Sequence, residues 1–512
     1  MPRIVIIGGG FSGSAAAVQL VRRSPQALAI TIVEPRARVG GGLAYSSDEP
    51  DHRINGQPRM HSLDPAEPGM FADWCDKHHA EAADAGARVA NGTLFMRRST
   101  FRRYLEDTVV QHSVWPNGST ITHQRDTAVE VLAGPPPIGK PAAVDAQPGW
   151  MPDALSAFAH DAMPDAPAWR VVTADGSQLP CDLLILACGH TRARLPAAVA
   201  AGLFRHPRLI ADPLSSPRLP VVPADDRVLV LGSSLTAYDA VSTLLSTGHR
   251  GCIDIVSRRG LRPRPQRPPA AAGAAPLAPM LERTGLPPEA FIRNAMHPPT
   301  VRKLLRAVRT EIRAQARTGV AWDHTFDHLR DMLGQLWPVL SLAEKRRFFR
   351  QLRPWYDVHR FRVPPQNSAI VDAGELRGQV RFRAATIQAV ASGQAEAPLR
   401  VMLRERGAIA ALEAEYDRII NCTGVDATPV HEVPLYAALM QCALVSADAS
   451  GTGLAVDAQC RALAADGTPA RRLRIIGPPT AGAQGDPLGS AFIAIQVHRV
   501  VPDMLKELRV TL

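Results

Sequence analysis

An α/β fold built from two nucleotide-binding units is predicted by two observations. The first is the strand-like run Ile4-Val5-Ile6-Ile7, which enters Gly8-Gly9-Gly10-Phe11-Ser12-Gly13 and then an Ala-rich helix from Ser14 to Arg22. The second is Arg227-Val228-Leu229-Val230-Leu231, which enters Gly232-Ser233-Ser234-Leu235-Thr236-Ala237 and is followed by another helical stretch and a new strand. Glycine clusters alone mark ordinary turns. Strand, glycines, helix and second strand in that order mark a Rossmann-like dinucleotide-binding domain.

In the first unit the glycines have separate roles. Gly8 permits the tight turn, Gly10 lets the backbone approach a pyrophosphate, and Gly13 lets helix and strand pack closely. The free N–H groups of the helix N-terminus then face the phosphates, and Phe11 and Ser12 of the turn are candidate cofactor contacts beside them. The second strand, Ala29-Ile30-Thr31-Ile32-Val33, ends in Glu34, placed to accept hydrogen bonds from a ribose, with Arg36 just beyond it. Gly40-Gly41-Gly42-Leu43-Ala44-Tyr45 is a glycine turn leading into a polar segment through Asn55 to His61-Ser62-Leu63. Gly42, Leu43 and Asn55 are candidates to lie against a planar cofactor, because glycine allows close backbone approach.

The second unit carries Gly232, Ser234 and Thr236 at its turn. Ser234 stands where the pattern has its middle glycine, so looser pyrophosphate contact is expected there. Its second strand, Ile253-Asp254-Ile255-Val256, ends in Ser257-Arg258-Arg259 instead of an acid. Loss of the acid and gain of Arg258 and Arg259 suits a 2′-phosphate, favouring NADPH over NADH. A solvated basic turn is the alternative reading in an arginine-rich chain.

At 512 residues the chain has room for two or three domains, and 46% hydrophobic with 21% charged residues is a globular composition. No apolar run approaches the roughly 20 residues of a membrane span, and Met1 leads directly into a strand, so a cytoplasmic protein without membrane association is expected. The net charge of +10 raises the question of nucleic acid, but the arginines are dispersed and no nucleic-acid module is recognisable, so none is expected as a partner. Seven cysteines form neither a C-x-x-C pair nor a zinc spacing, which argues for reduced thiols, no metal and no sequence-local redox dithiol.

Further along, helices are expected over Phe71 to His79 and from Ser99 or Thr100 to Val110, and strand material over Thr120 to Val131. Residues 134 to 167, rich in Pro, Ala and Asp, suggest a surface insertion. A hairpin follows, with Trp169 to Thr173, a turn at Asp175-Gly176, and a return strand Leu183 to Leu186 ending in Ala187-Cys188-Gly189. Small residues at that end let a cofactor pass the backbone at Gly189, and the same device recurs at Asn421-Cys422-Thr423-Gly424. A linker composition covers 261 to 280, and helical periodicity covers 287 to 352, with Val301, Leu304, Leu305 and Val308 on one face and a capping signature at Ser341 to Glu344. Trp355 to Pro364 concentrates aromatic and ionisable groups, among them His359 and Arg360, with domain-interface packing and a cofactor or substrate role both open. Strand Arg474 to Ile476 then leads through a glycine-rich stretch containing Asp486 into an apolar helix from Ser490; its N-terminus suits a flavin's polar edge, and Asp486 is either a cofactor contact or a cap.

The motifs Gly8 to Gly13, Val33 to Arg36 with Gly41 to Tyr45, Leu231 to Thr236, Ser257 to Leu261 and Trp355 to Pro364 together resemble the YdhS-like FAD/NAD(P)-binding proteins, related to flavin-dependent monooxygenases. The resemblance implies a FAD domain over 1–215, interrupted by an NAD(P)H domain with helical insert over 216–365, and resumed over 366–512. It implies an FAD-containing, NADPH-using monooxygenase acting with molecular oxygen on a small nucleophilic substrate, an amine or heterocycle. His359 and Arg360 are the candidates near the reacting end. A flavin-dependent reductase passing electrons to a partner or quinone, and a non-catalytic FAD-binding protein, are the alternatives. Oligomeric state is left open, a homo-oligomer included.

Overall fold

The computed structural model describes residues 1–134, 168–191, 193–203, 205–214, 218–267, 278–392, 397–424, 430–486 and 489–508. Most of the expected insertion at 134 to 167, and residues 268–277 of the expected linker at 261 to 280, lie outside the described residues.

Two mainly parallel sheets organise the chain. The first runs in the order Arg461–Leu463, Pro469–Ile475, Leu183–Leu186, Arg3–Ile7, Ala29–Val33, Thr120–Gln124, parallel except at its first edge. The second runs Leu412–Tyr416, Leu399–Glu405, Val380–Ala391, Ile253–Ser257, Val228–Leu231, Arg418–Asn421, Leu209–Ile210. Each central strand is apolar along its length because both its faces are covered. Ile4 and Ile6 point into the core shared with helices Phe11–Arg23 and Ser490–Glu507, while Val5 and Ile7 point into a core closed by the three-stranded sheet Ala128–Ala133, Trp169–Thr173, Gln178–Cys181. The second sheet repeats the scheme: Val228 and Val230 face helix Leu235–Ser246, and Leu229 and Leu231 face the antiparallel strands that follow.

One expectation is refined and two are corrected. Thr120 to Val131 is two strands in different sheets, separated by a turn at Arg125–Thr127. The hairpin partner of Trp169–Thr173 is Gln178–Cys181, while Leu183–Leu186 inserts beside Arg3–Ile7. Four consecutive fully buried residues need cover on both faces, which a central parallel position supplies and a hairpin edge does not. The return to the first domain expected at 366 does not coincide with the sheets. Val380–Ala391, Leu399–Glu405, Leu412–Tyr416 and Arg418–Asn421 all belong to the second sheet, and the chain rejoins the first only at Arg461–Leu463.

Between Ile253–Ser257 and Val380–Ala391 lies a helical insert with its own core of Ile292, Leu304, Met332, Leu336, Trp337 and Leu340. Ser341 caps helix Leu342–Arg347 by accepting from the Glu344 N–H. The insert rests on the C-terminal segment: Trp337 Nε1 donates to the Gly482 carbonyl at 2.8 Å.

Candidate functional site

The first glycine turn is shaped by contacts that exclude side chains. A Cβ on Gly8, whose φ is +105°, would stand 2.4 Å from the Ala187 carbonyl oxygen, and one on Gly13 would stand 2.0 Å from the Gly8 oxygen. Strand Leu183–Leu186 and helix Phe11–Arg23 therefore both meet the turn backbone to backbone. Gly10 faces Gly42, where a Cβ on Gly42 would lie 2.9 Å from the Gly10 Cα. Ser14 N–H bonds back to the Gly10 carbonyl at 3.0 Å, and the N–H groups before it belong to the helix end that meets an anion. Phe11 and Ser12 are buried, and Ser12 Oγ packs against Gly477, which has φ +83° and donates its N–H to Gln496 Oε1.

Glu34 is buried at the end of its strand. One carboxylate oxygen accepts from Gly9 N–H at 2.9 Å and the other from Arg36 N–H and Arg36 Nη1 at 3.1 and 3.0 Å. The turn and the carboxylate are thus one unit, with lone pairs left for hydroxyl donors. A turn closed to a Cβ at Gly8 and Gly13, a helix N-terminus and an oriented acid fit a dinucleotide. Leu43 lies in the short helix Gly42–Tyr45 against the turn, and Asn55 is held through its carbonyl by Gln266 Nε2 of the second unit at 2.5 Å. Gly189, with φ +72°, has open space where a Cβ would be.

The second turn repeats the first in backbone and differs in side chains. A Cβ on Gly232 would stand 2.2 Å from the Cys422 carbonyl oxygen, matching Gly8 against Ala187. Ser234 has φ −95° and ψ −165°, close to −78° and −165° at Gly10. The two turns therefore share one backbone conformation, which suits any residue, and Ser234 is exposed. Thr236 is half-buried, and its carbonyl accepts from Cys422 Sγ. Gly424, with φ +95°, borders open space. Arg258 is exposed and Arg259 half-buried, and among the described residues neither makes an ion pair.

Trp355 to Pro364 meets the C-terminal segment with Tyr356 buried and its cations paired. Trp355 is 47% exposed, while Arg362 is buried on Asp327 at 2.8 Å and Arg360 pairs with Asp486 at 3.0 Å. Arg360 also lies over the Phe361 and Phe492 rings. Buried guanidinium groups need counter-ions, and here the carboxylates come from the insert and from the C-terminal loop. His359 stacks on Phe326 at 4.6 Å, meets Trp322 edge-on, and bonds the Trp355 carbonyl through Nδ1. Burial lowers its pKa. It thus sits among helices of the insert, on neither glycine turn.

Sequence reasoning passed over a cluster beside the first turn. His61 Nδ1 lies 2.9 Å from Ser490 Oγ, at the start of helix Ser490–Glu507, and the Tyr45 and His61 rings both pack on Phe101. Burial pushes His61 down to about 4 and His52, which bonds Ser47 Oγ at 2.7 Å, down to about 3. Arg98 joins the two units: it donates to the Ala44 carbonyl at 3.1 Å and pairs with Asp239 on the second fingerprint helix at 2.5 Å. Burial raises Asp239 to about 6. A cavity of about 280 Å³ lies apart from these residues, between the insert and the C-terminal helix, walled by Leu333, Phe492, Ile495 and Arg499.

Residues 5–136 match the FAD-NAD(P)-binding family. A relative, the tRNA 5-methylaminomethyl-2-thiouridine biosynthesis bifunctional protein MnmC of Chromohalobacter salexigens, is 27% identical over 285 residues, 49% of this chain and 39% of the relative. The chain thus spans well under half of that protein. Among solved structures, the L-lysine 6-monooxygenase of Pseudomonas syringae superposes over 99% of this chain and 100% of its own with a TM-score of 0.60 at 15% identity. The Kutzneria ornithine N-hydroxylase, solved with reduced FAD, NADP+ and L-ornithine, covers 99% of each chain with a TM-score of 0.59 at 14% identity. These likenesses establish a shared fold over nearly the whole chain. Among the described residues no helix is long and apolar enough to cross a membrane.

Proposed function

We propose that the protein is an FAD- and NADPH-dependent monooxygenase that hydroxylates a small nucleophilic substrate, an amine or heterocycle. The observation that carries this reading is the pairing of two glycine turns on two like-built parallel sheets, joined across Arg98 and Asp239, in a fold shared end to end with amine hydroxylases. The bound cofactors supply the chemistry of hydride transfer and oxygen activation. The chain supplies binding and orientation. Gly8, Gly10, Phe11, Ser12 and Gly13 hold the FAD pyrophosphate, Glu34 the ribose, and Arg36 steadies Glu34. Gly42, Leu43, Asn55 and Gly189 border the remainder of that cofactor. Gly232, Ser234, Thr236 and Gly424 receive the pyrophosphate of NADPH, and Arg258 and Arg259 its 2′-phosphate. Arg360 and Asp486 fix the insert against the C-terminal loop, and that ion pair supports a positioning role for both.

The test is a visible spectrum of the purified protein, followed by NADPH oxidation and oxygen uptake across a panel of diamines, amino acids and heterocycles. Oxidised product formed in step with NADPH consumption supports the reading. Reduction of an added quinone without oxygenated product would make it a reductase, and flavin binding without either reaction a binding protein.

A further inference from the structure

Each glycine turn is tied to the end of the strand that follows its helix, and the two ties differ. Gly8 N–H bonds the Val33 carbonyl at 2.9 Å and Gly232 N–H the Val256 carbonyl at 2.8 Å, so Gly9 corresponds to Ser233 and Glu34 to Ser257. In the first unit Gly9 N–H reaches the Glu34 carboxylate at 2.9 Å, and a Cβ on Gly9 would stand 2.7 Å from the Glu34 Cβ. The acid therefore requires glycine there. With Ser257 in place of the acid, the second unit carries a side chain at this position, and Ser233 Oγ donates to the Leu261 carbonyl at 2.6 Å. A carbonyl oxygen only accepts, so the direction of this bond is fixed.

Leu261 ends the bend that carries Arg258 and Arg259, and its neighbours fix the rest. Gly260 N–H bonds Ser257 Oγ at 3.1 Å, and Gly260, with φ +63°, lies where a Cβ would stand 2.9 Å from the Ala384 Cβ. Arg262 lies over the Phe382 ring at 3.7 Å and makes two bonds to the Glu375 carboxylate, at 2.7 and 2.6 Å. Arg262 is thus committed to Glu375, whereas exposed Arg258 and half-buried Arg259 meet no carboxylate among the described residues. Two cations sit on a bend fixed at both ends, and a bend ordered in advance loses less freedom when an anion binds.

We propose that Ser233 positions the Arg258–Arg259 bend against the second glycine turn, so that selection of NADPH over NADH depends on the Ser233–Leu261 bond as well as on the arginines. The residue at the turn and the residue at the strand end are then chosen together, Gly9 with Glu34 and Ser233 with the arginines. The assignment rests on the proposed function, in which this turn receives NADPH. Arg258 and Arg259 are the contacting groups, and Ser233 is a positioning residue.

The test is calorimetric measurement of NADP+ and NAD+ dissociation constants on the purified full chain. The variants are Ser233→Ala, Ser233→Thr, and Arg258→Ala with Arg259→Ala, the last alone and combined with Ser233→Ala. Ser233→Ala should weaken NADP+ by about tenfold, equivalent to about 1.4 kcal/mol, and change NAD+ by less than about twofold. Ser233→Thr keeps the hydroxyl and should keep the preference. Where both arginines are absent the serine has nothing to position, so adding Ser233→Ala should leave the NADP+ constant unchanged. Equal losses for both nucleotides would show that Ser233 serves the pyrophosphate, and unchanged constants that its hydroxyl only closes the turn; either result overturns the proposal. If the unmutated chain binds both nucleotides alike, or neither, the proposal and the NADPH assignment fall together. A preference for NADP+ that is lost in Ser233→Ala upholds the proposal even where no oxygenated product forms and the monooxygenase reading fails.

Discussion

Gly10 and Gly42 occupy each other's side-chain space, since a Cβ on Gly10 would stand 3.3 Å from the Gly42 Cα. Gly10→Val adds branching carbons in this contact and at the phosphate approach, so flavin content after purification should fall to less than about a tenth while the sheet still folds. Normal flavin content in the variant would remove Gly10 from the cofactor site. His61 sets a second expectation. Its folded pKa of about 4 lies below the ordinary 6.5, so the unfolded chain binds the proton more readily, and stability present above 6.5 is lost as pH falls toward 4. Asp239, raised to about 6, contributes the opposite slope in part of that window, so the comparison is made between the protein and His61→Gln. Thermal melts should decline less on acidification in His61→Gln; parallel curves would show that another group carries the acid sensitivity.

At the scale of elements, the turn after strand Ile253–Ser257 and the helix Arg353–Arg360 behave differently. Arg258 and Arg259 have no carboxylate to satisfy among the described residues, which suits a phosphate-reading role. A charge-assisted hydrogen bond is worth about 1.5–3 kcal/mol, so Arg258→Ala with Arg259→Ala should reduce the preference for NADPH over NADH by about tenfold or more. Equal use of both nucleotides by the unmutated protein would make these arginines ordinary surface cations. His359 is engaged by Phe326 and Trp322. His359→Ala should cost about 1–2 kcal/mol of stability by removing a stacked ring, with flavin content and the rate of flavin reduction unchanged. A slowed reduction per bound flavin would return His359 to the reacting end.

Across the whole molecule, the two units are fastened by polar contacts. Besides Arg98 with Asp239, Asn367 Nδ2 donates to the Asp51 carbonyl and lies near Ser242 Oγ, and Gln366 donates to Gly86 and Ala87. Such an interface fixes register more than it drives association, because each buried polar group must find its partner. Asp239→Asn leaves the Arg98 guanidinium buried beside a neutral amide and should cost about 3 kcal/mol. Hydrogen exchange should then rise in helix Leu235–Ser246 and in segment 44–55 together. A rise in one without the other would show that the pair does not couple the units.

The two strand–turn–helix units were legible in the residues alone, as was the Ser341 cap, because each is written within a few neighbouring positions whose backbone demands are local. Gly8, Gly13 and Gly232 could be singled out for the same reason, and Ser490 was visible as the first residue of an apolar helix after a glycine stretch. Other features were decided only by tertiary structure. Leu183–Leu186 announces burial but not its neighbour, since an apolar run fits any covered sheet position; only packing inserts it beside Arg3–Ile7. Likewise, alternating residues from Val380 to Tyr416 suit either sheet, and the pairing of Ile253 with Val380 assigns them to the second. His61 and Ser490 are separated by 429 positions, and Arg98 and Asp239 by 141, so no local periodicity links them. The sequence by itself determined which segments form the glycine turns between strand and helix. Which side chains face one another across those bends was set by the docking of the sheets and helices, where close packing admits one set of neighbours.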